Sequence, residues 1–130
     1  GIPDNIMKTL ILDIKFNEKY FERVIHHEVF HIINLSYKGL FNENEWIDFN
    51  KKNFQYAKCS SCSDKINLNT YIDTSGFLTE YSKTTPSEDM AEVFSHIMFN
   101  INIPSKDSIL QRKKEFIIKN ILKIDNTFKF

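Results

Sequence analysis

The sequence predicts an α+β fold, mostly helical with a small sheet near the N-terminus. Three observations carry that reading. Lys8 to Ile14 alternates in the two-residue period of a strand, the segment from Asn17 to about Leu35 repeats apolar residues at helical spacing, and two more helical patterns follow Pro86 and Pro104.

In the strand, Leu10, Leu12 and Ile14 share one face, and Thr9, Ile11 and Asp13 the other. Asn17 is a fair N-cap for the first helix. Phe21, Ile25, Val29 and Ile32 form its apolar stripe, and Glu18 and Glu22 sit near its positive end. Between Tyr37 and Asn69 the pattern weakens, and a short helix over Glu43 to Lys52 is expected before Cys59 and Cys62. Thr85-Pro86-Ser87-Glu88 reads as a helix start: Thr85 is the N-cap, Pro86 takes the first position, and Glu88 stands where a capping box wants a carboxylate. That helix should run to about Phe99. Pro104 ends any continuation, and Ser105 to Lys123 then forms a last amphipathic helix with Leu110, Ile117, Ile121 and Ile124 inward. The expected order is strand, helix, loop, helix, helix.

A chain of 130 residues, 42% apolar and 26% charged, can bury a core of its own. No repeat or linker divides it, so one domain over residues 1–130 is expected. Seventeen basic residues balance seventeen acidic ones, leaving no net field to attract nucleic acid or anionic lipid. The longest apolar runs fall far short of the roughly 20 residues that cross a bilayer, and Gly1-Ile2-Pro3-Asp4 lacks the basic start and apolar run of a secretory signal. Neither nucleic acid nor a membrane span is therefore expected. The oligomeric state is left open.

His27-Glu28-Val29-Phe30-His31 is an H-E-x-x-H sequence. On a helix, residues four apart are rotated by only about 40°, so both imidazoles can reach one ion. Glu28 is rotated off the pair and can meet a metal-bound water without becoming a ligand. Zinc with three protein ligands and an open fourth position lowers the pKa of its water toward ~7 and polarises a carbonyl. A neighbouring carboxylate can take the proton from that water and pass it to a leaving amine. The motif thus supplies two ligands and a general base for peptide hydrolysis. His26, about 100° from His27, is read as structural.

The third ligand is not in the motif. A histidine six residues on would complete a metzincin pattern, but Asn34 and Tyr37 stand in the required places. Two kinds of candidate remain. Glu88 and Glu92 lie four apart on the later helix, so Glu88 could ligate the metal while Glu92 accepts the free N–H of a liganding histidine. Equally, Glu88 could complete a capping box and Glu92 face solvent. Cys59-Ser60-Ser61-Cys62 has the spacing of a zinc half-site and with His27 and His31 would make a closed structural site, leaving Glu28 idle. The cysteines read better as a local disulfide or as two free thiols. A pseudoenzyme that holds zinc and binds peptides without cutting them is a further alternative.

At this point the chain resembles a known group. H-E-x-x-H followed by a glutamate helix is similar to the gluzincin metallopeptidases. The stretch Phe77-Leu78-Thr79-Glu80-Tyr81 leading into Glu88-Asp89-Met90-Ala91-Glu92 resembles the small bacterial zinc peptidases that include the anthrax lethal factor catalytic domain and the Pro-Pro endopeptidases. The likeness covers roughly residues 20–100. It implies a zincin-like domain and a zinc-dependent endopeptidase with one Zn²⁺, acting on a peptide or protein substrate. His27, His31 and Glu88 would be the ligands, Glu28 the general base, Tyr81 the donor to the oxyanion, and Glu92 the group that orients a liganding histidine. It also implies that the strand before the first helix binds extended substrate along its edge.

Overall fold

The computed structural model describes residues 2–4, 6–7, 9–11, 18–62 and 64–130. Two short strands, β1 (Ile2–Asp4) and β2 (Thr9–Ile11), pair antiparallel with Ile2 opposite Ile11 and Asp4 opposite Thr9. The Asp4 carboxylate accepts from the Ile6 and Met7 amides, each at 2.9 Å, the local bond with which Asp favours turns. Of the expected Lys8–Ile14 strand, Thr9–Ile11 is in the sheet, whereas Lys8, Leu12, Asp13 and Ile14 lie outside the described residues. β1 was not anticipated, because three residues with Pro3 among them carry no readable period. Both strands of a two-stranded sheet are edges, where proline is tolerated.

Helix α1 spans Glu18–Ser36, and the expected cap Asn17 lies outside the described residues. Its buried face differs from the apolar stripe. Phe21, Ile25, Val29 and Ile32 are only half-buried, while Arg23, His27, Glu28 and Phe30 are buried. The helix is rotated so that its polar residues meet partners on a later helix, and Phe30 alone carries much of its core contact. Helix α2 covers Glu43–Ile47, shorter than the expected Glu43–Lys52. Asn42 caps it, and tighter bonds from the Phe49 amide to Trp46 and from the Asn50 amide to Ile47 close it early.

A single 3₁₀ turn, Tyr81–Lys83, precedes α3 (Pro86–Met98). Thr85 caps α3 as expected, accepting from the Glu88 amide at 3.2 Å, with Pro86 in the first turn. Helix α4 spans Ser108–Ile124. It starts three residues later than expected because Asp107 is the cap, taking the Ile109 and Leu110 amides at 3.1 Å each. Every residue of α3 from Asp89 to Ile97 is buried, as befits a helix covered on all sides. It packs against α1 and against α4. Phe30, Phe94, Trp46, Leu110, Phe116 and Ile117 belong to the core they share. Among the described residues no helix is long and apolar enough to cross a membrane.

Candidate metal centre

Helices α1 and α3 bring the charged residues of both motifs together. Their directions are opposed: His27 meets Glu92, while His31, one turn later, meets Glu88 and Ser87. Glu88 Oε2 lies 2.8 Å from His27 Nε2 and 3.2 Å from His31 Nε2, and the two Nε2 atoms are 3.2 Å apart. The Glu88 amide is held by the Thr85 cap. Its carboxylate faces the histidines.

This triangle fits a zinc ion. Bonds of about 2.0–2.1 Å in a tetrahedron separate the donor atoms by roughly 3.3 Å. Two imidazole nitrogens and a carboxylate are also the ligand set zinc accepts. Among the described residues, His27, His31 and Glu88 are the group of three whose ligand atoms converge in this way. Hydrogen bonding sets the tautomer of His27. Its Nδ1–H donates to Glu92 Oε1 at 3.0 Å, so that the neutral ring directs its Nε2 lone pair at the triangle. Thr79 in turn donates to Glu92 Oε2 at 2.9 Å. Both carboxylate oxygens are thereby occupied.

Electrostatics follow the same arrangement. Burial disfavours a charged His27, but the Glu88 and Glu92 carboxylates outweigh it and raise its pKa to about 9. Burial likewise opposes ionised Glu88 and Glu92, yet contact with the histidines holds both below the ordinary carboxylate range. Tyr81 is pushed upward by burial and by the nearby Glu88 and Glu28 carboxylates, so it keeps its proton and can donate. Its ring centroid is 5.9 Å from that of His27.

A cavity of about 210 Å³ opens on the site, lined by Val24, His27, Glu28, Ile66, Leu68, Tyr81 and Glu92. Glu28 and Tyr81 therefore face the same space. A larger cavity of about 480 Å³, between Lys51, Phe54, Tyr71 and Phe77, contains none of the three convergent ligands. Cys59 and Cys62 form a disulfide, so neither offers the thiolate that a closed His₂Cys₂ site needs. His26 has no part in the cluster.

Several residues of the site were not singled out in the sequence. Thr79 lies within the stretch that carries the family likeness, but nothing marked it as the partner of Glu92. Arg23 is one helical turn before His27, and an arginine on the same face as a metal-binding pair was the available signal. Leu68, Thr70 and His96 carried no local signal.

A family model described as "Putative zinc-binding metallo-peptidase" matches residues 5–124. No curated protein and no solved structure matches the chain.

Proposed function

The chain belongs to that zinc-binding metallopeptidase family, and from this premise we propose that it is a zinc-dependent endopeptidase of the gluzincin type. In this reading His27, His31 and Glu88 hold one zinc ion, Glu28 is the general base, Tyr81 the oxyanion donor, and Glu92 the orienting group for His27. The observation that carries it is the convergence of His27 Nε2, His31 Nε2 and Glu88 Oε2 within 2.8–3.2 Å of one another. The finer resemblance to the lethal factor and Pro-Pro endopeptidase group rests on the spacing of Tyr81, Glu88 and Glu92.

When bound, the ion supplies Lewis acidity, which activates water and polarises the scissile carbonyl. The protein's own groups do the rest. The Glu28 carboxylate takes a proton from the attacking water and returns it to the leaving amine nitrogen. The Tyr81 O–H donates to the carbonyl oxygen as negative charge builds on it. Glu92 keeps one His27 proton on Nδ1, and Val24, Ile66 and Leu68 give the cavity an apolar wall beside the reacting groups.

The test is zinc stoichiometry together with cleavage of a peptide library. Wild type should bind one zinc per chain and cleave, and Glu88→Ala should lose both. A zinc-loaded wild type that binds peptides without cutting them would replace this reading with that of a pseudoenzyme.

A further inference from the structure

The mechanism above gives no role to a buried charge beside the site. Arg23 is only 5% exposed, and its guanidinium lies between the two parts of the site. On one side, Nη2 is 3.9 Å from Glu92 Oε2, the carboxylate that orients His27. On the other, Nη2 donates to the Leu68 carbonyl and Nη1 to Thr70 Oγ1, the latter at 3.2 Å. Leu68 is part of the cavity wall.

His96 Nδ1 is 2.7 Å from the Glu92 carbonyl, and a carbonyl only accepts, so the ring proton is on Nδ1. Burial and the nearby Arg23 charge hold His96 toward its neutral form, which makes Nε2 an acceptor. Thr70 must then donate to Nε2, at 3.0 Å, and use its oxygen lone pair to accept from Arg23. The chain of donors therefore runs from Arg23 through Thr70 and His96 to the α3 backbone at Glu92. A planar fork with fixed N–H directions can serve a carbonyl and a hydroxyl at once, whereas an ammonium supplies a point charge.

Resting on the peptidase reading, we propose that Arg23 is a positioning residue with two separable tasks: it fixes the His27 ligand through Glu92 and holds the Leu68–Thr70 wall of the substrate cleft. Charge alone serves the first task. The second needs the fork. Arg23→Lys should thus keep zinc affinity within about threefold of wild type while raising KM about tenfold. Arg23→Ala should lose on both counts, with zinc affinity falling at least tenfold, as for groups that orient metal ligands. Thr70→Val, which leaves Arg23 in place, should raise KM and spare zinc.

The experiment measures zinc affinity by competition with a chromogenic chelator, kcat and KM on a cleaved peptide, and hydrogen exchange of the 67–71 amides. All three variants and wild type are compared, with circular dichroism reporting the fold. The expected result is a zinc affinity that follows charge at position 23, with KM and amide protection following the fork. If Arg23→Lys and Arg23→Ala change zinc affinity and KM in parallel, or if neither changes, the two-task proposal is overturned. Absence of cleavage by wild type would instead overturn the peptidase reading, and zinc affinity with amide exchange would still decide the role of Arg23.

Discussion

Helix α3 carries two adjacent carboxylates, Glu88 and Asp89, that point about 100° apart and enter two different polar clusters. Asp89 Oδ2 accepts from Lys113 Nζ at 2.6 Å, from Tyr56 O–H at 2.6 Å and from Trp46 Nε1 at 2.8 Å. Lys113 also donates to the Gly76 carbonyl at 2.7 Å and stands 4.0 Å from the Phe77 ring centre. Burial pushes the Asp89 carboxyl up and the Lys113 ammonium down, while their close contact, with Tyr56 and Trp46 donating to Asp89, opposes both shifts. On the Glu88 side the partners are two imidazoles, which offer lone pairs to an ion once deprotonated, and no lysine or arginine takes part in the triangle. The lesson concerns where the cation comes from. A buried carboxylate whose cation is part of the chain is a structural anchor, whereas one grouped with two imidazoles makes a site for an ion.

That comparison predicts that the two clusters fail in different ways. The largest effect on stability should come from Lys113→Met, which strands a buried carboxylate at a cost of about 3–5 kcal/mol. Urea unfolding should detect it, and added zinc should not repair the packing. Glu88→Ala should abolish zinc binding but lower the stability of chelator-treated protein by only about 1–2 kcal/mol. Similar unfolding losses in the two variants would erase the distinction. Glu92→Gln should fall between, weakening zinc by about 10–100-fold, the usual effect of removing a group that orients a metal ligand.

The smallest effect is one of pH, and at the metal centre it acts with opposite sign on stability and on zinc binding. In chelator-treated protein, the His27 pKa of about 9 lies above its ordinary 6.5. Its contribution to stability is therefore fully present below about 6.5 and is lost as pH rises through about 9. Zinc needs the deprotonated nitrogen. Raising pH from 6.5 toward 9 should thus weaken the stripped protein and strengthen zinc binding. Calorimetric unfolding and chelator competition across that range measure both slopes, and His27→Gln should flatten the stability slope.

The two clusters also differ in how readable they were. The His27–His31 and Glu88–Glu92 pairs each repeat at one helical turn, so residue spacing alone placed each pair on one face. The Asp89 anchor draws on positions 46, 56, 89 and 113, with contacts between separate elements and no local period. Lys113 falls on the inward stripe of α4, three residues after Leu110 and four before Ile117, but spacing does not say which carboxylate it meets. The same limit applies to Arg23 and Thr70, whose meeting depends on how the 67–71 segment crosses α1. Among the elements, α3 was legible because Thr85, Pro86 and Glu88 each carry a helix-start signal. The early end of α2 and the shift of the α4 start to Asp107 were set by bonds that spacing does not encode.

In the proposed mechanism Glu28 is the general base beside a zinc site it does not help to form. Glu28→Gln keeps the shape of the side chain and removes its basicity, so zinc content and kcat measured on the same preparation test the claim most directly. The account predicts one zinc per chain and a kcat lower by about 10²–10⁴-fold, the range for removing a general base. A Glu28→Gln protein that cleaves at the wild-type rate, or one that loses its zinc, would contradict it.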